Sequence, residues 1–258
     1  MKKALFAGLA AALLCLTASN VQAQQAANTS GSKSVASRME NNNRFTLGAE
    51  WFSETIRNKT AGTKGHGGWG GVVGNYDYKE GGNIYGGLQA RYAWGKVGGQ
   101  RGTDWNGVGR IGYGWDMGAT QSWFLAPYLG AGYESQRIRF TTSSRVYFWY
   151  IPVGIMLDYR ANPNFMVGLK AEYGFMAGAK YKQYVATTGK ISAGNRARYE
   201  IEVPFTYIFT DFSNGHFDIS LVPFWHGWRT GQKTSGAITA PRLTVDMYGA
   251  RLDFGWRF

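Results

Sequence analysis

The feature that most constrains this chain is an alternation of apolar and polar residues that runs from Arg44 to the last residue. In the segment 165–175 every odd-numbered position is apolar, whereas the other face carries Lys170 and Glu172. A period of two places successive side chains on opposite faces of a β-strand. The chain from Arg44 onward is therefore predicted to be all-β, with one face of each strand in an apolar environment.

The length of the alternating runs distinguishes two all-β architectures. Strands of soluble β-sandwiches average about 5 or 6 residues, whereas a tilted strand needs about 9 to 11 residues to cross a bilayer. The runs 199–209 and 217–225 reach the second length, and Trp and Tyr lie toward the ends of their apolar faces, which is typical of the aromatic girdles at the two lipid interfaces. We predict a closed antiparallel transmembrane β-barrel rather than a sandwich.

Turn signals and the alternation together give the strand count. Nine strands are predicted, near 44–57, 83–95, 104–117, 122–138, 145–159, 164–182, 197–211, 216–229 and 243–258. An odd number would leave the two termini on opposite sides, so the glycine-rich stretch 67–78 is predicted as a tenth strand; eight strands are the alternative. Short connections at 118–121, 161–164 and 213–215 are expected to face the periplasm, and longer ones at 96–103, 183–197 and 230–242 the outside.

The first 43 residues have no such alternation. Lys2, Lys3, an apolar stretch at 4–16 and Ala23 predict a signal peptide over residues 1–23, with the apolar stretch too short for a membrane-spanning helix. Residues 24–43 are polar and aperiodic, so a disordered tail is expected before a barrel over 44–258. The single cysteine, Cys15, lies in the signal peptide, which leaves the exported chain without a disulfide or a cysteine-ligated metal.

The final strand carries the only specific local motif. Leu252, Phe254, Trp256 and Phe258 lie on one face, and the chain ends on an aromatic residue. This segment resembles the terminal strand that the barrel-assembly machinery recognises, and the pattern over 44–258 resembles small bacterial outer-membrane β-barrel proteins. The resemblance implies a Gram-negative outer-membrane location and an assembly signal formed by Phe254, Trp256 and Phe258. It implies no active site.

Charged residues recur on the face opposite the lipid. A narrow barrel is filled by its own side chains, and an unpaired buried charge is costly. We therefore expect a polar, largely plugged lumen filled by ion pairs, with Lys170 pairing with Glu200 or Glu202 on the next strand; a narrow anion-favouring channel is the alternative. The predicted lumen residues are Glu50, Arg91, Arg110, Asp116, Glu134, Asp158, Lys170, Glu172, Glu200, Glu202, Asp218, Arg251, Asp253 and Arg257.

A second set of charges lies in the predicted outer connections. It has sixteen basic residues against one acid, Asp104, in a chain that keeps 26 basic and 16 acidic side chains after loss of Lys2 and Lys3. Guanidinium and ammonium groups match phosphate well, so we expect contact with lipopolysaccharide or another surface polyanion, and not with nucleic acid, which an exported chain seldom meets. The rim residues are Arg57, Lys59, Lys64, Lys96, Arg101, Arg137, Arg139, Arg145, Lys180, Lys182, Lys190, Arg196, Arg198, Arg229, Lys233 and Arg242.

Three histidines limit the catalysis that is possible. His216 lies beside a predicted inner turn, and His226 lies on a lumen-facing position near the outer end. Neither has the nearby serine on its strand that lipid A deacylases and outer-membrane phospholipases use, and Asp77 lacks the second acid of an omptin protease. We expect a non-enzymatic structural or adhesin-like protein without cofactor or metal. The third alternative is an omptin-like or lipid-modifying rim hydrolase.

Export predicts one defined cleavage. Val21 and Ala23 occupy the positions where a signal peptidase requires small residues, so protein purified from outer membranes should begin at Gln24. N-terminal sequencing measures this directly. A different first residue, or retention of residues 1–23, would contradict the prediction.

Overall fold

The structure is a computed structural model that describes residues 43–79, 82–117, 122–139, 143–184, 189–209, 215–235 and 238–258. The predicted signal peptide at 1–23 and all but the last residue of the predicted tail at 24–43 lie outside these ranges. No helix in the ranges is long and apolar enough to cross a membrane. The strands are β1 Asn43–Asn58, β2 Thr63–Tyr78, β3 Asn83–Val97, β4 Gln100–Met117, β5 Trp123–Arg139, β6 Ser143–Asn162, β7 Phe165–Tyr184, β8 Gly189–Ser192, β9 Gly194–Glu202, β10 Phe205–Phe209, β11 His216–Gly231, β12 Lys233–Ser235, β13 Ile238–Ala240 and β14 Leu243–Arg257.

The strands close into a barrel. From β1 to β7 each strand pairs with the next, and β1 also pairs with β14, which in turn pairs with β11. Between β7 and β11 the wall is completed by β8, β9 and β10, which follow one another as a single interrupted strand. The wall therefore has ten antiparallel strands, which confirms the closed ten-stranded barrel and the glycine-rich segment as one of its strands. The pair β12 and β13 forms a separate small hairpin.

The seam between β1 and β14 fixes the orientation of the barrel. Its register runs from Arg44 opposite Arg257 to Asn58 opposite Leu243, and the backbones of Asn43 and Phe258 exchange two hydrogen bonds of 3.0 and 3.2 Å. β1 therefore begins where β14 ends. We call this the inner end of the barrel, and the opposite end, where β1 turns into β2, the outer end.

The outer surface of the wall is apolar. Leu47, Leu88 and Leu129 are 57%, 61% and 58% exposed, an arrangement that is stable only against lipid. The predicted assembly residues Phe254, Trp256 and Phe258 also lie on this surface. Aromatic side chains border it in two girdles: an outer one with Trp51, Tyr92, Trp94, Trp105, Tyr133, Trp149, Tyr173, Tyr199, Trp225 and Tyr248, and an inner one with Tyr113, Trp115, Trp123, Tyr159, Phe209, Phe217 and Trp256.

The prediction of long outer connections is wrong. β3 and β4 stay paired up to Val97 opposite Gln100, and Gly98 and Gly99, with φ of 56° and 79°, make the two-residue turn that suits the twist of a hairpin. Most of 183–197 belongs to β7, β8 and β9, and 230–242 holds the small β12–β13 hairpin. The strands continue beyond the outer girdle as hairpins, so their tips need only short turns.

A bulge in β7 changes which side chains face outward. The register shifts between Trp149 opposite Ala177 and Tyr147 opposite Lys180, with Gly178 at φ 71°. Before the bulge the odd-numbered residues of β7 face lipid, whereas after it Ala179 is buried and the even-numbered Lys180 lies on the outer surface. A one-residue insertion exchanges the two faces of a strand.

Substitutions at Gly178 should test the bulge. A β-carbon there meets nothing within 4 Å, so Gly178→Ala costs only the left-handed backbone conformation, about 1 kcal/mol of the free energy of unfolding. Gly178→Asn should cost less, because asparagine tolerates this conformation. The control is Gly68→Ala, where space is equally open and φ is ordinary. Urea unfolding followed by tryptophan fluorescence measures all three; equal losses at Gly68 and Gly178 would count against the bulge.

Candidate functional site

Arg198 lies in the barrel interior among three carboxylates. Its Nε is 2.8 Å from Glu134 Oε2 and its Nη1 is 2.7 Å from Glu172 Oε1, and it also pairs with Glu200. Only 1% of its surface is exposed, so the prediction that it belongs to the rim is wrong. Arg198 shares the even-numbered face of β9 with Glu200 and Glu202, and β9 is already continuous at this point.

The same group of ion pairs extends toward the inner end. Lys170 contacts both of the glutamates between which the sequence left the choice open, at 3.2 Å from Glu202 Oε2 and closer to Glu200. Arg251 Nη1 is 2.9 Å from Glu202 Oε1, and its Nε is 2.8 Å from Asp253. On the other side Arg110 Nε is 2.7 Å from Glu172 Oε2. Each acid in this group therefore has a cation partner, as burial requires.

Arg91 connects the group to its outer neighbours. The guanidinium pairs with Asp104, lies 3.6 Å from Glu50 Oε1 and is 2.9 Å from His226 Nδ1. Asp104 is fully buried, so its assignment as the one acid of the rim is wrong. The physical reason is the same as for Arg198: β4 begins at Gln100, and its even-numbered residues already face the lumen there.

A smaller group lies at the inner end. Asp218 accepts from Arg257 Nε at 2.8 Å and from Arg44 Nε at 3.0 Å, and Lys79 Nζ is 2.9 Å from Asp158. Asp116 lies partly exposed near the end of β4. We call all these interior ion pairs the lumen network. Arg44 and the buried Glu54 were missing from the predicted lumen set, although both have the same even-numbered parity as Glu50 on β1.

The outer part of the lumen is apolar, which differs from the prediction of a polar interior. Phe148 and Trp228 meet there with ring centroids 5.6 Å apart. The strand ends above the outer girdle have water outside them, so they are stabilised by burying apolar side chains within. We call this group the apolar layer: Phe52, Ile56, Trp69, Ala93, Val97, Val108, Val146, Phe148, Tyr150, Met176, Ala179, Ile191, Ala193, Phe224, Trp228, Ala240, Leu243, Val245 and Met247.

Cavities of two sizes lie between interior side chains of the described residues. One, of about 60 Å³, is lined by residues of the inner half that include Arg44, Tyr85 and Arg251. The other, of about 10 Å³, lies between Glu50, Arg91 and Glu200. A cavity needs about 10 to 15 Å³ to hold one water molecule, so these volumes correspond to a few waters at most.

Basic residues outside the lumen are concentrated at the outer end. Eight of the 24 lysines and arginines from Arg44 onward point into the lumen; of the other sixteen, fifteen lie at the outer end and Arg160 lies at the inner end. These fifteen are the predicted rim without Arg198, and we call them the basic outer end. The side chain of Arg139 lies outside the described structure. An acid that the sequence reasoning missed, Asp246, lies among them and pairs with Arg57 at 2.8 Å.

Four of these cations form one line across the outer wall. Arg137 on β5 lies opposite Arg145 on β6, Arg145 opposite Lys182 on β7, and Lys182 opposite Lys190 on β8. We call these four residues the cation row. Positions so far apart in sequence become neighbours only through strand register, which residue spacing alone does not reveal.

A surface groove adjoins the cation row. Its volume is about 460 Å³, and it is lined by Trp94, Lys96, Arg101, Thr103 and Arg137 together with backbone at two glycines. Three of the lining side chains are cations, so the groove extends the positive surface toward β3.

The histidines lie in three different settings. His66 is exposed on the outer surface, where its Nε2 is 3.2 Å from Ser53 Oγ and its Nδ1 is 3.2 Å from Thr55 Oγ1. His226 is buried, 3.4 Å from Glu134, and His216 begins β11 at the inner end. Within the described ranges no three His, Cys, Asp or Glu side chains lie close enough to hold a metal ion.

Comparisons with known proteins identify the fold and no family. No protein-family model matches the chain, and no curated protein sequence matches it. The chain is similar to the outer membrane protease OmpT of Escherichia coli, with 10% identity, a TM-score of 0.51 and coverage of 85% of this chain and 97% of that one. It is also similar to the translocator domain of the autotransporter NalP of Neisseria meningitidis, with 11% identity, a TM-score of 0.49 and coverage of 97% and 98%.

At these identities the likeness concerns the fold alone. The likeness to the OmpT structure, together with the apolar outer wall, shows an outer-membrane β-barrel, and this fold implies the bacterial outer membrane. Nothing about proteolysis or secretion follows from it.

Replacing Arg198 should distinguish a position in the lumen from a position on the rim. Arg198→Met leaves Glu134, Glu172 and Glu200 short of a buried partner, so the free energy of unfolding should fall by about 3 to 5 kcal/mol. Its matched control is Arg196→Met, two residues away and exposed, which should stay within about 0.5 kcal/mol of the wild type. Urea unfolding in lipid vesicles measures both. Similar losses of unfolding free energy in the two variants would mean that Arg198 is not buried among these three carboxylates.

Proposed function

We propose that this chain is a non-enzymatic structural protein of the bacterial outer membrane, with a closed lumen and a basic outer end that binds the phosphates of lipopolysaccharide. The observation that carries the proposal is the separation of charge. Ten buried acids and Asp77 point into the lumen with eight bases, whereas fifteen bases and Asp246 lie at the outer end. The interior is therefore suited to close the barrel, and the outer end is suited to bind anions.

The lumen network and the apolar layer both support closure. An ion crossing the barrel would have to pass the buried Phe148 and Trp228 rings and then displace ion pairs such as Arg198 with Glu134. The interior cavities, of about 60 and 10 Å³, hold no more than a few waters. A narrow anion-favouring channel, the second candidate of the sequence, needs a continuous aqueous path. Cavities of about 60 and 10 Å³ within the described interior are too small to form such a path.

Position and charge support the contact with lipopolysaccharide. The outer leaflet presents closely spaced phosphate groups, and guanidinium binds phosphate through paired hydrogen bonds. The basic outer end lies just above the outer aromatic girdle, which marks the edge of the hydrocarbon. Each exposed contact contributes about 0.2 to 1 kcal/mol and is screened by salt, so binding requires several together. The same charges would accept another surface polyanion.

A hydrolytic role needs a nucleophile, a base and a group that orients the base. Ser53 and His66 are within 3.2 Å, but the other histidine nitrogen contacts the hydroxyl of Thr55. A hydroxyl carries no charge to stabilise a protonated imidazole, and the nearest acid in strand register, Asp246, already pairs with Arg57. We assign these hydrogen bonds to holding β1 against β2. No cofactor and no nucleic acid partner is proposed.

One partner is proposed for biogenesis. Phe254, Trp256 and Phe258 project from the wall on β14, the strand that closes the barrel against β1. These side chains face outward, and the backbone edge of β14 next to them is available to the barrel-assembly machinery until the seam forms.

Conductance tests the closed lumen. Wild-type protein in a planar bilayer should show no steady current steps, because the apolar layer and the lumen network fill the interior of the described barrel with side chains. Phe148→Ala with Trp228→Ala should raise conductance by removing two packed rings of the apolar layer. The control is Trp149→Ala with Trp225→Ala, whose rings face lipid on the same two strands. Large anion-selective steps from the wild type would replace the proposal with the channel.

A further inference from the structure

We propose that the cation row is a binding site for one lipid headgroup that carries two phosphates, the first held by Arg137 and Arg145 and the second by Lys182 and Lys190. This inference rests on the proposed contact of the outer end with lipopolysaccharide and names the lipid chemistry that one site selects. The partner is the bisphosphorylated sugar headgroup of an outer-leaflet lipid.

The sequence around the cation row carries no compensating negative charge. The segments 135–157 and 173–199 contain no Asp or Glu, and they supply all four cations of the row. Like charges directly opposite one another in a sheet destabilise the pairing of their strands. Three such oppositions in succession are therefore unfavourable in the free protein and become favourable when anions lie between the side chains.

The two arginines of the row are held in place by serine hydroxyls and not by acids. Arg145 Nε donates to Ser135 Oγ at 2.7 Å, and Arg137 Nε donates to Ser143 Oγ at 3.2 Å. These bonds occupy the Nε of each guanidinium and orient the group, which lowers the conformational entropy that a bound phosphate would otherwise have to remove.

Two tyrosines lie between the cations. Tyr184 lies under Lys182 at 4.6 Å and Arg137 at 5.2 Å, and Tyr147 lies under Arg145 at 5.5 Å and Lys190 at 5.6 Å, measured to the ring centroids. The aromatic faces attract the cations and leave their charge in place. The row is thereby ordered while it remains fully basic.

Strand spacing sets the distance between the phosphates. Neighbouring strands lie about 4.8 Å apart, so one phosphate fits between two adjacent cations. The centres of the two pairs are then about 10 Å apart along the wall, two strand spacings. A disaccharide with a phosphate at each end spans such a distance. A phospholipid with a single phosphate occupies one pair and leaves the other uncompensated.

Height above the hydrocarbon agrees with a headgroup. Arg145 lies four residues beyond Trp149 of the outer girdle along β6. With a rise of about 3.3 Å per residue and a strand tilt of about 40°, this places it roughly 10 Å above the girdle. Phosphates and sugars occupy that layer. The groove of about 460 Å³ next to Arg137 leaves room for sugar beyond the first pair.

Native mass spectrometry of the folded protein in detergent tests the site, with purified bisphosphorylated lipid A, monophosphorylated lipid A and inorganic phosphate as probes. The row variant carries Arg137→Gln, Arg145→Gln, Lys182→Gln and Lys190→Gln. The control variant removes the same charges elsewhere at the outer end, with Lys59→Gln, Lys64→Gln, Arg229→Gln and Arg242→Gln. Heat-modifiable migration verifies folding of each. A third variant, Arg137→Lys with Arg145→Lys, keeps the charge of the row.

The wild type should bind the bisphosphorylated lipid about 2- to 30-fold more tightly than the monophosphorylated one, since two more cation contacts form, each of about 0.2 to 1 kcal/mol. The row variant should lose this preference. The control variant should keep it, and should lose only the salt-screened affinity that all anionic lipids share. The lysine variant should keep most of the preference.

Other outcomes overturn the site. Equal binding of the two lipids would contradict selection of a headgroup with two phosphates. Displacement of the bound lipid by millimolar inorganic phosphate would show that the row is a site for free phosphate. Equal loss of lipid binding in the row and control variants would show that the lipid binds to the basic outer end as a whole and not to one site. The inference would then fail while the proposed function stood. If neither variant weakened lipid binding at low salt, both would fail.

Discussion

The backbone of this chain cannot leave hydrogen-bonding groups unpaired in lipid, where no water replaces the lost partner. The seam between β1 and β14 meets that constraint, because it joins the two edges of the sheet from Arg44 opposite Arg257 to Asn58 opposite Leu243. Once the sheet is closed, every strand has one face toward lipid and one toward the lumen. The alternation of apolar and polar residues, the girdles and the interior charges all depend on this closure.

Closure also decides where the charges of the chain lie. Ten buried acids and Asp77 are inside a barrel too narrow for bulk water, and eight lysines and arginines enter with them. Glu54 accepts a hydrogen bond from the amide of Gln136, and His226 lies beside Glu134. Amide and imidazole groups therefore supply further partners for the buried acids. Since nearly all acids of the barrel are taken up by the lumen, few acids are left to pair with the cations outside, and Asp246 with Arg57 is one such pair. The concentration of these cations at the outer end results from this separation of charge.

The sequence predicted the ten strands and most lumen charges because lipid imposes a strict parity on each strand. The even or odd position of a residue on its strand predicts the face correctly, even for two residues whose assignment did not follow it. Arg198 and Asp104 were assigned to outer connections, yet each has the parity of its lumen-facing neighbours, Glu200 and Asn106. Lipid no longer marks the outer face above the girdle, so the hydropathy signal ends before the strand does. The apolar layer was missed for the same reason.

The bulge at Gly178 could not be predicted in this way, because Ala177, Gly178 and Ala179 are small and hide the change of face. Its consequences reach both surfaces of the wall. Without the extra residue, Lys180 and Lys182 would point toward the apolar layer, where each buried ammonium would cost several kcal/mol. With it, Ala179 packs inside and Lys182 takes its place beside Arg145 and Lys190. One backbone irregularity therefore keeps the outer lumen apolar and completes the cation row, so the two features depend on each other through β7.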